Sequence, residues 1–448
     1  MDKTHNFTEG KILKPLLLFA LPIFLALFLQ AMYGAVDLLV VGRFATTEDV
    51  SAVATGSMLM QSITVALSSL SMGLTIFLGQ VIGEKKLKEV GKIIGSGIIL
   101  FSGIAIVLTI ILCFSSETIA SLLHAPSDAY SQTVSYIRIC SLGITFIIAF
   151  NTLGGIFRGI GDSTMPLITV AIACVFNIIL DLLFVYEFNM GASGAALATI
   201  FAQAISVIIS ILIIKFKGIG ISFSMKDIKW NKKYIHKILG FGVPVAVQDL
   251  LVNVSFLVIM AIVNNLGLEE SAGVGVAEKV CAFLMLVPSA YMQSLAAFVA
   301  QNAGAKKYSR AKKSLLYAIG TSLIAGVVMG YLGFFHGDML ASIFDNDPVV
   351  IKMAADYLKA YGIDCLFTTI LFCMNGFYSG MGHTTFVMIQ GIIGALGIRI
   401  TVSYIMSKLE GTTLFHIGLA TPISSFVQIT ICIVFFIVLL KQSKRVEG

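Results

Sequence analysis

Charged residues are scarce in this 448-residue chain: only 12 % are Asp, Glu, Lys or Arg, against 57 % hydrophobic residues. A soluble domain carries about 25 % charged residues, so the composition excludes a soluble globular protein and points to an integral membrane protein. Alternating ten-residue segments are missing as well, since the apolar runs are long and continuous. That pattern excludes a transmembrane β-barrel and leaves helices, which satisfy their backbone hydrogen bonds within each segment. There is no Walker loop, HExxH helix or nucleophile elbow, so neither an enzyme nor a cofactor is expected. The seven cysteines (Cys113, Cys140, Cys174, Cys281, Cys365, Cys373 and Cys432) all fall within apolar stretches, and none has a second cysteine at metal-ligand spacing. They read as small apolar packing residues.

The apolar runs predict twelve helices, at roughly 13–40, 51–80, 92–114, 132–157, 164–186, 192–214, 236–264, 272–301, 312–335, 354–379, 384–407 and 415–440. The polar start (Asp2, Lys3, Thr4, His5, Asn6) has no signal-cleavage pattern, so the first helix is expected to be retained. Sliding the sequence by about 221 residues shows that its second half repeats the first. Pro22 falls on Pro244, and Gln80 to Lys86 falls on Gln301 to Lys307. Pro126 falls on Pro348, Tyr136 on Tyr357, and Gly159 and Gly161 on Gly380 and Gly382. The segment 215–235 is the only long polar connection. It divides the chain into a lobe at 1–214, a linker at 215–235 and a lobe at 236–448. Six helices per repeat give both copies the same orientation, hence parallel repeats around a central cleft suited to alternating access. The Gly-rich pieces Arg158-Gly159-Ile160-Gly161-Asp162 and Ser379-Gly380-Met381-Gly382-His383 read as tight turns rather than phosphate loops, because a long helix precedes each.

The net charge of +6 does not indicate nucleic acid, because the basic residues sit in membrane-flanking loops. Of 30 basic residues, 23 lie on one side: the N-terminus, the 2–3 loop, Arg158, the linker, the 8–9 loop and the C-terminal tail. The other side holds Arg43, Lys352 and Lys408 among acids such as Glu48, Asp49, Glu269, Glu270, Asp345 and Asp347. The bias predicts a plasma-membrane protein with both termini cytoplasmic.

Within the apolar stretches stand two aspartates, Asp37 and Asp181, and the second repeat has no acid at either matching position, where Ile259 and Val402 fall. A carboxylate in lipid that the fold does not require for packing calls for a functional reason. At 1.5 Å per residue, Asp37 and Asp181 each lie roughly 9 Å below the outer rim, and Thr199 on the sixth helix roughly 12 Å below it. Asn177 is one turn from Asp181 on the same face, and Tyr33 one turn from Asp37. Two such carboxylates repel unless a proton or a cation is taken up, and oxygen ligands suit a hard cation such as Na⁺. The plainer alternative is a pair of helix-packing aspartates bonded to Asn177 and Thr199.

The segments Tyr33 to Gly42, Asn177 to Tyr186 and Gly191 to Thr199 resemble the first, fifth and sixth helices of the multidrug and toxic compound extrusion (MATE) family. The twelve-helix pattern and Arg158 to Asp162 extend the likeness over the whole chain, closest to the DinF-like branch. The resemblance implies cation-driven export of bulky, often cationic, organic compounds, with Asp37, Asn177, Asp181 and Thr199 as the H⁺ or Na⁺ coupling site. It makes Tyr33, Tyr136 and Asn151 polar neighbours of that site. It departs at Gly154, where the family often has an asparagine, and that leaves H⁺ or Na⁺ open.

The second repeat has its own intramembrane charges, Asp249, Glu278, Lys279, Asp364 and Arg399. An Arg near the midplane must find an acid, since an isolated charge costs at least ~2.5 kcal/mol there. A structural pair of Arg399 with Asp364 or Asp249 is one reading, and a second coupling or substrate site at Asp249, Glu278, Asp364 and Arg399 is the other. Gln30, Met32, Met58, Met285 and Met292 are candidates for a cavity lining, because soft side chains adapt to many shapes. The leading expectation is a secondary-active efflux antiporter of small organic substrates, working as a monomer in the bilayer with no nucleic-acid partner. The alternative is a lipid or lipid-linked oligosaccharide flippase, against which the scarcity of intramembrane basic residues (Arg138, Lys279, Lys359, Arg399) argues.

Overall fold

The computed structural model describes residues 7–218 and 223–447, without the side chains of Lys217 and of residues 442–447. The polar start Asp2 to Asn6, residues 219–222 of the expected linker, and the side chains of Lys444 and Arg445 lie outside the described residues. The described residues form helices and no strands. In chain order these are α1 (Leu13–Phe44), α2 (Thr47–Gly83), α3 (Leu87–Leu122), α4 (the pair Ser127–Leu142 and Ile144–Ile160), α5 (Thr164–Glu187) and α6 (Gly191–Lys217). The second series is α7 (Lys232–Asn264), α8 (Leu268–Gly304), α9 (Tyr308–Phe335), α10 (Pro348–Gly380), α11 (Thr384–Ser407) and α12 (Leu414–Lys441). Eleven are long and apolar enough to cross a membrane, and the bent α4 makes twelve. The protein is an all-α, multi-pass membrane protein.

Several helices run beyond the apolar stretches, and at α2 and α10 polar residues cap the extension. Thr46 and Asp49 form a capping box at the start of α2. Asp347 accepts from Val349 N at 2.8 Å and Pro348 fills the first turn of α10. The repeat is visible in the backbone. Lys85 and Lys306 both turn left-handed, at φ 59° and 58°, and so do Gly161 and Gly382, at 87° and 89°. The glycine pairs therefore serve turn geometry.

Two elements depart from simple spans. The fourth helix is broken by 51° at Gly143, and a Cβ there would collide with the side chain of Ile200 on α6. Its counterpart α10 is unbroken. The expected linker is docked rather than free: Ser96 donates to Lys229 O at 3.1 Å, and Gly95 packs against the backbone of Asp227.

The chain divides into two compact units. The first comprises the residues up to Glu9, Leu17–Ala246 and Ala300–Lys306, and the second Gly10–Leu16, Val247–Val299 and Lys307–Gly448. The first is built on a core from α2, α3, α4 and α6, with Leu74, Leu78, Ile93 and Ile144 fully buried. Within it the ends of α2 and α8 meet backbone to backbone, in matching pairs: a Cβ on Gly83 would strike Gln301 O, and one on Gly304 would strike Gln80 O. Nearby, Gln301 donates to Gly159 O at 3.2 Å. Such close approach is how helices associate where lipid offers no hydrophobic drive between them. The second unit has its core on α7, α8 and α10, around Val263, Val274, Tyr357 and Leu358.

The glycine contact yields a prediction. Gly83→Ala and Gly304→Ala each force backbone apart and should cost about 1–3 kcal/mol, seen as a lower unfolding temperature in detergent. Gly320→Ala, whose added methyl meets nothing within 4 Å, should show no such loss.

Candidate functional site

The polar centre of the first unit is assembled from α1, α4, α5 and α6. Its geometry begins at the far end of α6. Gly191 is left-handed at φ 52°, and a Cβ on it would strike the Asp49 carboxyl. That carboxyl accepts from Ala192 N at 2.9 Å while also closing the capping box of α2. One side chain thus fixes the start of α6 against α2. Further along, Thr169 and Ser210 share a hydrogen bond of 3.0 Å, and Ser206 donates to Thr169 O at 2.5 Å, which locks α5 to α6. These links set Asn177 and Asp181 on α5 beside Thr199 and Gln203 on α6.

Asp37 is 8 % exposed, Asn177 1 % and Asp181 0 %. Thr199 Oγ1 donates to Asp37 Oδ2 at 3.3 Å. Asp181 and Asn177 stand next to the Asp37 carboxyl. Yet Asp37 Oδ1, both Asp181 oxygens and both polar atoms of the Asn177 amide close no hydrogen bond. Two carboxylates, an amide and a hydroxyl face one another with most of their lone pairs unused. Buried polar atoms are normally satisfied, and no ion pair among the described residues involves either aspartate. Immediately after Asp181 the helix widens into a π turn, Leu182–Glu187, a local rearrangement found often at functional positions.

The other sequence-derived residues divide. Tyr33 sits with its hydroxyl toward Gln30 and Gln203, and interacts with Asp37. Tyr136, 3 % exposed, lies in the field of both aspartates, and Gly56 admits its ring, since any Cβ there would strike it. Asn151 turns back on its own helix, donating to Ile147 O at 2.9 Å. At Gly154 the place of a longer side chain is taken by the Arg158 guanidinium, 3.2 Å from where a Cβ would stand. Met32 and Met58 are exposed, Met285 packs at the edge of the second unit's core, and Met292 is half-buried. Gln203, 6 % exposed with its Oε1 unpaired, was missed from sequence. Its signal is the run Thr199, Gln203, Ser206 and Ser210, polar positions at helical spacing on an otherwise apolar helix.

In the second unit, Arg399 is 7 % exposed, donates from Nη1 to Ser255 Oγ at 3.2 Å and lies over the Phe256 ring at 4.6 Å. Asp364, 2 % exposed, accepts from Thr368 Oγ1 at 2.7 Å, stands beside Ser425 and feels the Arg399 charge. Tyr357 and Tyr361 interact electrostatically with both Glu278 and Arg399. Asp249 is half-buried and partnered.

The MatE family model matches residues 22–183 and again 244–405. The chain belongs to the MatE family. Curated relatives that match include the "Probable multidrug resistance protein YpnP" of Bacillus subtilis (strain 168), 26 % identical over 418 residues and 93 % of each chain. Another is the "Multidrug export protein MepA" of Staphylococcus saprophyticus, 25 % identical over 427 residues, 92 % of this chain and 91 % of that one. A crystal structure of MATE in complex with MaL6 superposes with a TM-score of 0.93 at 17 % identity, covering 99 % of this chain and 100 % of that one. An outward-facing MATE transporter of the MOP superfamily does so with a TM-score of 0.92 over 99 % of each chain. These structures share the fold. The two MatE matches end at 183 and 405, 222 residues apart, one more than the spacing of Gly161 and Gly382. Burial follows the longer spacing past the start of the π turn Ile393–Ile400 on α11, since Asn177 and Arg399 are both buried. Asp181 then falls on Ser403 rather than Val402, and burial agrees, since both Asp181 and Ser403 are 0 % exposed.

Two adjacent unit charges at an effective dielectric of about 20 repel by about 4 kcal/mol at 4 Å. Replacing Asp181 with Asn removes that repulsion without changing shape. Without Na⁺, at a pH high enough to ionise both carboxyls, Asp181→Asn should therefore unfold at a higher temperature than the unaltered chain. The gap should narrow as pH falls or as a neutralising cation is added, because either one relieves the same repulsion.

Proposed function

We propose that this MatE protein is a cation-coupled efflux antiporter that exports bulky organic, often cationic, compounds by alternating access. The observation that carries the reading is the buried pair Asp37 and Asp181, set among Thr199 and Asn177 with no basic partner among the described residues. The names of the relatives, a multidrug resistance protein and a multidrug export protein, support the substrate class. Family membership and multi-pass helices support a place in the plasma membrane, and the basic loops favour both termini in the cytoplasm.

The residues fit a hard monovalent cation or protons. Asp37 Oδ1, both Asp181 oxygens, the Asn177 carbonyl and the Thr199 hydroxyl offer five oxygen atoms with no nitrogen or sulfur ligand. Na⁺ held there would neutralise the pair electrostatically, and H⁺ would do so by converting a carboxylate into a hydrogen-bond donor. In the unloaded site the aspartates repel, so the arrangement that separates or hydrates them is favoured. Loading removes that bias and favours the arrangement in which they close. An ion that binds the two arrangements with different affinity shifts their populations by that difference, and that is how a gradient is converted into drug movement. Thr199 positions Asp37, and Gln203 holds Tyr33 near it, so both tune the loading step.

The test is ethidium efflux from proteoliposomes under separately imposed Na⁺ and H⁺ gradients. The unaltered protein should pump on one gradient, which names the ion. Asp37→Asn and Asp181→Asn should each lose at least about tenfold of the rate, or ~1.4 kcal/mol. Normal pumping by both variants would overturn the site assignment, and indifference of the unaltered protein to every gradient would overturn antiport.

A further inference from the structure

The second repeat contains a polar pocket built on the same frame as the first but with its charges rearranged. Tyr136 corresponds to Tyr357, Thr199 to Thr421 and Gln203 to Ser425. The adjacent residues agree, since Leu197-Ala198-Thr199 pairs with Leu419-Ala420-Thr421. The two aspartates of the first repeat have become Ile259 and Ser403. Two acids instead occupy positions that are Ser57 and Gly143 in the first repeat, namely Glu278 and Asp364. The decisive exchange is at Asn177. At the longer spacing of the two MatE matches, its counterpart is Arg399.

Arg399 is nine-tenths buried, and its Nε is unpaired, as are Asp364 Oδ1, Glu278 Oε1 and Ser403 Oγ. Ser255, at the position of Tyr33, and Phe256 hold the guanidinium in place. Its charge reaches Asp364, Tyr357 and Tyr361. Among the described residues the first cluster thus contains two carboxylates and no basic group, whereas the second sets a covalently attached cation by Asp364 and by two tyrosines that Glu278 also reaches.

We propose that Arg399 is a tethered cation standing in the second repeat where a mobile ion would otherwise bind, so that only one repeat takes up a coupling ion. An attached guanidinium cannot leave, cannot be deprotonated in the physiological range and keeps a positive charge beside Asp364 in every state of the cycle. It acts as a specificity-determining residue, setting how many ions move per cycle. That consequence for transport rests on the coupling role assigned to Asp37 and Asp181. The closure of the second pocket to mobile cations does not.

The experiment therefore removes the first site in every arm. In the Asp37→Asn/Asp181→Asn background, the purified protein should bind no ²²Na⁺ at pH 8. Adding Arg399→Gln should open the second pocket, giving about one Na⁺ per chain and a higher unfolding temperature in the presence of the ion. Arg399→Lys should stay closed, since it keeps a tethered charge. Adding Glu278→Gln and Asp364→Asn to the Arg399→Gln protein should abolish the new binding. If Arg399→Gln fails to fold, the compensated variant Glu278→Gln/Asp364→Asn/Arg399→Gln should still fold, and Glu278→Gln/Asp364→Asn with Arg399 intact should be less stable than it. Na⁺ binding at Glu278 and Asp364 while Arg399 is present would overturn the proposal. So would a folded Arg399→Gln protein that gains no Na⁺ binding.

Discussion

Charge in an apolar medium must be compensated close at hand, and this constraint organises the interior of the protein. Helices leave almost no backbone groups to satisfy the few intramembrane ionic side chains, so each must find its partner among neighbouring side chains. In the second unit Ser255 and Phe256 hold Arg399, whose charge reaches Asp364, but among the described residues the expected ion pair of Arg399 with Asp364 or Asp249 does not close. In the first unit Asp37 has one hydroxyl donor and Asp181 has none.

The rest of the first unit serves to keep those acids together. Asp49 ties the start of α6 to α2, and the hydroxyl contacts among Thr169, Ser206 and Ser210 hold α5 against α6. The bend at Gly143 lets α4 pass Ile200 on α6, and Tyr136, on the segment before that bend, lies within reach of both acids. Small residues at these crossings do what apolar burial cannot do in lipid, because close backbone contact, not exclusion of water, holds transmembrane helices together. Residues without evident chemistry, such as Gly56, Gly83, Gly143 and Gly304, therefore carry much of the architecture.

The two repeats place different charges on one frame. The frame of Tyr136 and Thr199 is retained as Tyr357 and Thr421, while the acids move to different helices and an asparagine becomes an arginine. Arg399 lies in the π turn of α11. A single-residue change of phase rotates a helix by about 100°, enough to turn a side chain into or out of a pocket.

The sequence alone determined the membrane class, the helix count and the duplication, because these depend on the length of apolar runs and on residue identity at a fixed spacing. It also brought Asp37, Asp181 and Thr199 to one depth, since rise per residue is a one-dimensional quantity that counting recovers. What counting could not supply is rotation and proximity around the helix axes. The break at Gly143, the role of Gln203, the pairing of Asp181 with Ser403 and the contacts of Arg399 with Ser255 and Phe256 all depend on which faces meet. Those were decided only in the tertiary structure. Lipid is equally apolar on every side, so the sequence of a transmembrane helix carries only a weak signal of which face turns inward, and packing against neighbouring helices makes that choice.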